Sequence, residues 1–391
     1  YPYKNLFALI VGYSTQGRMG VEALANYYLI NTNTSLTNKV KNDTAGKKNP
    51  GDNVYTTLDV KVQQVANDQL DIYRGAIIVT EVSTGKIIAM VSHPDFDPNS
   101  IAEIWDDLVD NDSSTVLLNR ATQGLYPPGS TFKIVTALEY IRENPDTYQN
   151  YSYNCNGSFR LGNSKISCYH GSNHGQVDFK KSFAKSCNSS FANIGMSLDR
   201  EAFQETLNDL LFNKDLPLTL NYAKSSALVS ESTPSAEMMQ TSIGQGKTQI
   251  TPMHLNMITC AIANDGVLMK PYVIDRVEND EGTVIKSFKA SEYGRLMSED
   301  EAAILRQLMT DVVQEGTASK LKGLSYTAAG KTGSAEYNNV KGDSHAWFTG
   351  FAPAEDPEVC VTIIVEGAGS GGDYAVPIAR RIFDAYFSEK Q

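Results

Sequence analysis

Ser130, Lys133, Ser186, Asn188 and Lys331 have the side chains and spacing that acyl-transfer chemistry needs. The densest pattern is Pro127-Pro128-Gly129-Ser130-Thr131-Phe132-Lys133. Pro and Gly break the chain. Ser130 then opens a stretch, Thr131–Arg142, that is apolar on most sides and reads as a buried helix. At this spacing Ser130 and Lys133 share one helix face, a turn apart. A serine hydroxyl is a weak nucleophile until a base takes its proton. A lysine held in an apolar, cation-flanked site loses proton affinity and can be that base. N–H groups at a helix start can also polarise an acyl oxygen. Alone, the pair reads more readily as an N-cap serine beside a snorkelling lysine.

Two further motifs shift the balance. Ser186-Cys187-Asn188 follows in a segment with helical spacing, and Lys331-Thr332-Gly333-Ser334 lies in a run that reads as strand. Ser186 can pass a proton to a leaving amine, and Asn188 can hydrogen-bond a substrate amide. Lys331 supplies positive charge and Thr332 a hydroxyl for a carboxylate. Gly333 lets substrate lie close against an edge strand. The N–H groups of Ser130 and Ser334 would form an oxyanion hole. Rival motifs fail. Gly330-Lys331-Thr332 imitates the end of a phosphate loop, but Ser325 stands where that motif needs glycine. Neither Gly-x-Ser-x-Gly nor His-Glu-x-x-His occurs.

These residues need a scaffold. The 391-residue chain carries a net charge of −11, which argues against a nucleic-acid partner. No stretch is long and apolar enough to cross a membrane as a helix. Ala76–Val82 and Lys86–Ser92 read as a hairpin through Ser83-Thr84-Gly85. Helical spacing covers residues 59–73, 101–109, 179–198, 200–211, 251–264 and 299–315. Three strand runs follow, 326–336, 345–352 and 358–365, then a last helix at 376–387. Residues 31–51 read as a polar linker or long loop, and residues 150–178 as irregular and turn-rich. A strand pair, a helical middle, then three strands and a helix predict an α+β fold with an antiparallel sheet.

With these motifs in place, the sequence resembles the class B penicillin-binding proteins, monofunctional transpeptidases with a penicillin-binding/serine β-lactamase-like fold. The likeness extends to Tyr55-Thr56-Thr57-Leu58-Asp59, Asn119-Arg120-Ala121, Gly244-Gln245-Gly246 and Ala346-Trp347-Phe348. Residues 1–50 resemble the tail of the family's N-terminal pedestal with its linker, and residues 51–391 its transpeptidase domain. The resemblance implies a D,D-transpeptidase that cross-links peptidoglycan stem peptides through a Ser130 acyl-enzyme and is blocked by β-lactams. It also implies an extracytoplasmic domain on a membrane anchor outside this chain, and a polytopic membrane glycan polymerase as partner. A β-lactamase-like hydrolase and a β-lactam sensor or non-catalytic scaffold remain the alternatives.

Cys155, Cys168, His174 and Cys187 are spaced C-x12-C-x5-H-x12-C, unlike a zinc finger. Their position says more. Cys187 sits between Ser186 and Asn188, and the others lie in a turn-rich loop with little core of its own. Three thiolates and an imidazole suit a closed, structural tetrahedral Zn²⁺ site, with which some relatives agree by resemblance. His170 could replace His174, though His174 fits the family pattern better. A Cys155–Cys168 disulfide, with Cys187 a buried free thiol, and free thiols throughout are the competing readings. Cys260 and Cys360 read as packing residues.

Overall fold

The computed structural model describes residues 1–110, 115–338 and 343–388. Its centre is an antiparallel sheet of β1 (Gly75–Glu81), β2 (Ile87–His93), β3 (Ala329–Glu336), β4 (Ser344–Ala352) and β5 (Val359–Val365). The strands lie in the order β3-β4-β5-β1-β2. Every residue of β4 and β5 is buried, so both sheet faces are covered. One layer pairs α1 (Val60–Leu70) with the C-terminal helix. The other pairs the helix from Pro252 to Ala263 with that from Glu299 to Glu315. Between α1 and these come α2 (Lys133–Glu143), α3 (Phe179–Ala184) and α4 (Asn188–Ser197), which carry the site. The later helices are α5 (Pro252–Ala263), α6 (Glu299–Glu315) and α7 (Ala375–Ser388). The fold is α+β, as the sequence pattern predicts. α6 begins with a capping box, Ser298 accepting from Glu301 N and Glu301 from Ser298 N.

Four local expectations need correction. Residues 31–51 are not all loop. Ser35 caps a helix, Leu36–Thr44, whose Asn38 and Asn42 side chains turn to the protein and whose Leu36 and Val40 face outward, hiding its periodicity. Residues 150–178 are not irregular. Ser152–Cys155 pairs with Gly175–Asp178, and Ser158–Leu161 with Ser164–Ser167. The stretch 179–198 is two helices rather than one, because Ser186 adopts φ +56° and splits α3 from α4. Ser130 lies in a 3-10 turn, Gly129–Phe132, that leads into α2.

Residues 1–30 pack onto the rest of the chain. Ile10, Val21 and Ala25 join the main core, while Leu9 and Tyr13 cluster with Phe96 and Ile101. Asn53–Thr56 pairs with Ile274–Glu278, tying the start of the larger segment to the connection between α5 and α6.

Candidate active site

β3 is an edge strand, and its open side meets the Ser130 turn. Gly129 has φ +54°, and a Cβ there would lie 2.9 Å from that of Ala335. The turn is anchored elsewhere too. Gly129 N donates to Gly244 O at 2.8 Å, and the Trp347 indole donates to Pro127 O at 3.1 Å. A Cβ on Gly333 would sit 3.0 Å from Pro128 O and 3.1 Å from Thr131 Cγ2. Besides the room for substrate that the sequence reading assigns to it, Gly333 thus makes room for the nucleophile turn. Just upstream, buried Arg120 donates to Glu366 at 2.8 Å, and Tyr126 Oη donates to the same oxygen at 2.7 Å.

Lys133 is fully buried under this turn. Its Nζ donates to Ser186 O and Asn188 Oδ1, both at 2.6 Å, and to Ser186 Oγ at 3.2 Å. Burial lowers its pKa to about 7, with the neighbouring Cys187 and Cys168 opposing. Lys331, also fully buried, donates to Ser186 Oγ at 3.0 Å and Thr332 O at 3.2 Å. Burial and the Lys133 charge push its pKa well below the ordinary lysine value. Two lysines thus converge on one hydroxyl. The left-handed turn at Ser186 aims that hydroxyl between them, at a cost of roughly 1–2 kcal/mol for a non-glycine residue. The Oδ1 of Asn188 takes the Lys133 bond and its Nδ2 donates to Ser167 O at 3.0 Å, which leaves the second N–H of that amide for a substrate.

The cleft has two arms that meet at Ser130, Asn188, Ser334 and Tyr169. The larger, about 790 Å³, runs past Lys165, Gln240, Gln245, Glu336 and Tyr337. The smaller, about 460 Å³, contains Ser186, Thr332, Thr317, Lys320 and Asp373. With its amide oriented to satisfy both contacts, Gln245 donates to Glu336 O (3.2 Å) and accepts from Glu336 N (3.3 Å). Backbone groups of alternate residues in an antiparallel strand point the same way. Thr332 and Ser334 therefore direct their N–H and C=O toward the open edge, as Glu336 does. Sequence reasoning missed Thr317, whose Oγ1 lies 2.5 Å from that of Thr332. The only trace of it is its place after Gly316, where α6 ends.

The four metal-ligand candidates come together. Their donor atoms all lie within 4.8 Å of one another. Cys155 and Cys168 sulfurs are 3.7 Å apart, Cys168 and Cys187 3.8 Å, and Cys155 Sγ and His174 Nδ1 3.4 Å. A tetrahedron with Zn–S bonds of 2.3 Å has S···S edges of about 3.8 Å, so the donor set fits that ion. Backbone N–H groups of Gly157, Ser189 and Ser190 point at the three sulfurs. All three cysteines are unbridged in the structure. His170 lies outside this group and packs on Tyr169 at the cleft wall. Cys260 and Cys360 are buried in the main core.

Residues 75–384 match the family model described as the penicillin binding protein transpeptidase domain. Peptidoglycan D,D-transpeptidase PbpA of Mycolicibacterium smegmatis is 30% identical over 418 residues, covering 100% of this chain and 84% of that protein. Among solved structures, an imipenem acyl-enzyme complex of penicillin-binding protein A from M. tuberculosis superposes with TM-score 0.89 at 29% identity, covering 99% of this chain and 92% of that one. The D,D-transpeptidase domain of a peptidoglycan glycosyltransferase from Eggerthella lenta gives TM-score 0.87, also at 29% identity, over 100% and 92%.

Proposed function

The chain belongs to the penicillin-binding protein transpeptidase family, of class B, and from that premise we propose how its side chains divide the work of a peptidoglycan D,D-transpeptidase. Ser130 Oγ attacks the carbonyl of the penultimate residue in a stem peptide ending D-Ala-D-Ala. Neutral Lys133 takes its proton. The C–N bond then breaks, and the departing D-alanine receives a proton through Ser186, which bridges Lys133 and Lys331. An amine of a neighbouring stem attacks the Ser130 ester and restores the free serine. The N–H groups of Ser130 and Ser334 hold the oxyanion, supported by the outward direction of Ser334 on the β3 edge. Lys331 and Thr332 receive the terminal carboxylate.

The convergence of two buried lysines on Ser186, beside a serine in a rigid turn, carries this assignment. β-Lactams acylate the same serine. Incubation with benzylpenicillin should add one drug mass, and peptide mapping should place it on Ser130. Full labelling of Ser130→Ala would refute the assignment. Rapid loss of the label would mark a hydrolase instead.

Cys155, Cys168, His174 and Cys187 hold one structural Zn²⁺ in this reading, supported by the tetrahedral spacing of their donors and the N–H groups aimed at the sulfurs. With four protein ligands the ion takes no part in the chemistry and braces the loop. Ser167, next to Cys168, holds Asn188, and Cys187 lies between Ser186 and Asn188. The catalytic domain faces the extracytoplasmic side, where stem peptides are. No described helix is long and apolar enough to cross a membrane. A polytopic glycan polymerase is the expected partner. A structure of penicillin-binding protein 2 with MreC from Helicobacter pylori shares the fold, with TM-score 0.82 at 23% identity.

A further inference from the structure

Acyl transfer to an amine is the reverse of amide cleavage by Ser130. The accepting amine must therefore enter where the leaving amine departs. The leaving group is D-alanine, an amine whose own carbon bears a carboxylate. Given the Proposed function, that carboxylate rests on Thr332, in the smaller arm of the cleft. The acceptor then uses the smaller arm too, and the rest of the donor stem lies in the larger one.

Thr332 has company there. Thr317 Oγ1 is 2.5 Å from Thr332 Oγ1, so two hydroxyls stand side by side. The chain is shaped to hold Thr317 in place. A Cβ on Gly316 would meet Ala184 O at 2.2 Å, so only glycine lets this turn tuck against the end of α3. Thr317 N then donates to Ala184 O at 3.3 Å. On the far side, Gly372 packs so closely that a Cβ would lie 2.8 Å from Thr317 O. Thr317 itself is exposed to the cleft. Farther along the same arm, Lys320 and Asp373 are paired at 2.8 Å.

We propose that Thr317 and Thr332 form one carboxylate clamp used twice, first for the leaving D-alanine and then for the acceptor. The acceptor class is an amine with a carboxylate on the same carbon, as at the free amino-acid end of a diaminodicarboxylic acid side chain. An isolated side-chain amine such as that of lysine lacks the clamped group. Thr317 is thus a specificity-determining residue. The bonds balance as in any aminolysis: the new C–N bond forms, the Ser130 ester C–O bond breaks, and the amine proton returns to the serine oxygen through the lysine pair.

The test uses the whole chain and a peptide thioester donor with an uncharged leaving group. D-Alanine and D-alaninamide compete as acceptors at equal concentrations of free amine, and the ratio of the two products is read by mass spectrometry. That ratio does not depend on how fast the acyl-enzyme forms. The parent should favour D-alanine by about tenfold or more, the scale of one hydrogen bond to a charged group. Thr317→Val should reduce the preference to within about threefold, and Thr317→Ser should restore it. A parent without preference, or a Thr317→Val variant that keeps all of it, overturns the clamp while leaving the transpeptidase reading intact. Absence of any acyl-enzyme on Ser130 from the thioester overturns both.

Discussion

Lys133 and Lys331 approach the same oxygen, Ser186 Oγ, with their ammonium nitrogens at 3.2 Å and 3.0 Å. Both are fully buried. Two charges so close and so poorly solvated repel, so burial and this repulsion lower the proton affinity of the pair.

The first prediction follows from Lys133 lying at about 7. The base must be neutral, so acylation rises as pH rises through that value and falls as pH drops below it. Stopped-flow acylation by a fluorescent penicillin checks the direction. A profile flat from about pH 6 to about pH 9 would assign the base elsewhere. Lys133→Arg should lose roughly 10²–10⁴-fold, because a guanidinium stays protonated at any working pH.

Lys331→Ala should slow acylation by a penicillin more than by the same compound with its carboxylate esterified. Lys331 contacts the Thr332 carbonyl and Ser186, so part of the loss is common to both compounds. The difference between them reports the charge. Equal losses would confine Lys331 to the proton relay.

Gly333→Ala places a methyl 3.0 Å from Pro128 O and 3.1 Å from Trp347 Cβ. Strain of about 1–3 kcal/mol is expected, together with displacement of the Ser130 turn from β3. Thermal unfolding should fall and acylation should slow in the same variant. Unchanged acylation would mean that the turn and the edge strand move independently.

One zinc per chain is expected by elemental analysis of protein purified without added metal. Stripping it should lower both the melting temperature and the acylation rate, because binding energy in such a site is folding energy. Metal near zero, with Cys155 and Cys168 blocked to alkylation until a reductant is added and a mass about two units below the reduced chain, would replace zinc by the disulfide.

The chemistry was more legible in the sequence than the geometry that supports it. Ser130 with Lys133 and Lys331 with Thr332 are local patterns, and their elements have strong periodicity, so motif and scaffold agree. The break at Ser186 was hidden because the apolar spacing Phe179, Phe183, Cys187, Phe191 runs through it at intervals of four, and a backbone angle leaves no mark on that pattern. The ribbons between residues 152 and 178 are short and half exposed, so alternation carries little signal there. The cysteine and histidine types pointed to a metal, but only folding brings donors so far apart in sequence within 4.8 Å. Thr317 gave no warning, since a threonine after a helix end is ordinary. Its meaning comes from Thr332, which lies beside it on another element.

An unpaired sheet edge is usually a hazard, because another copy of the protein can zip onto it and seed aggregates. Here Gln245 stands in as a mock peptide unit at Glu336, and Lys331 occupies the Thr332 carbonyl. Between these two partners lies one residue of the edge, Ser334, whose N–H and C=O face outward. A gap that short gives a second protein no register to extend, while it still admits one peptide group of a flexible stem. The fence that keeps the molecule from sticking to itself also sets the length of backbone it can read.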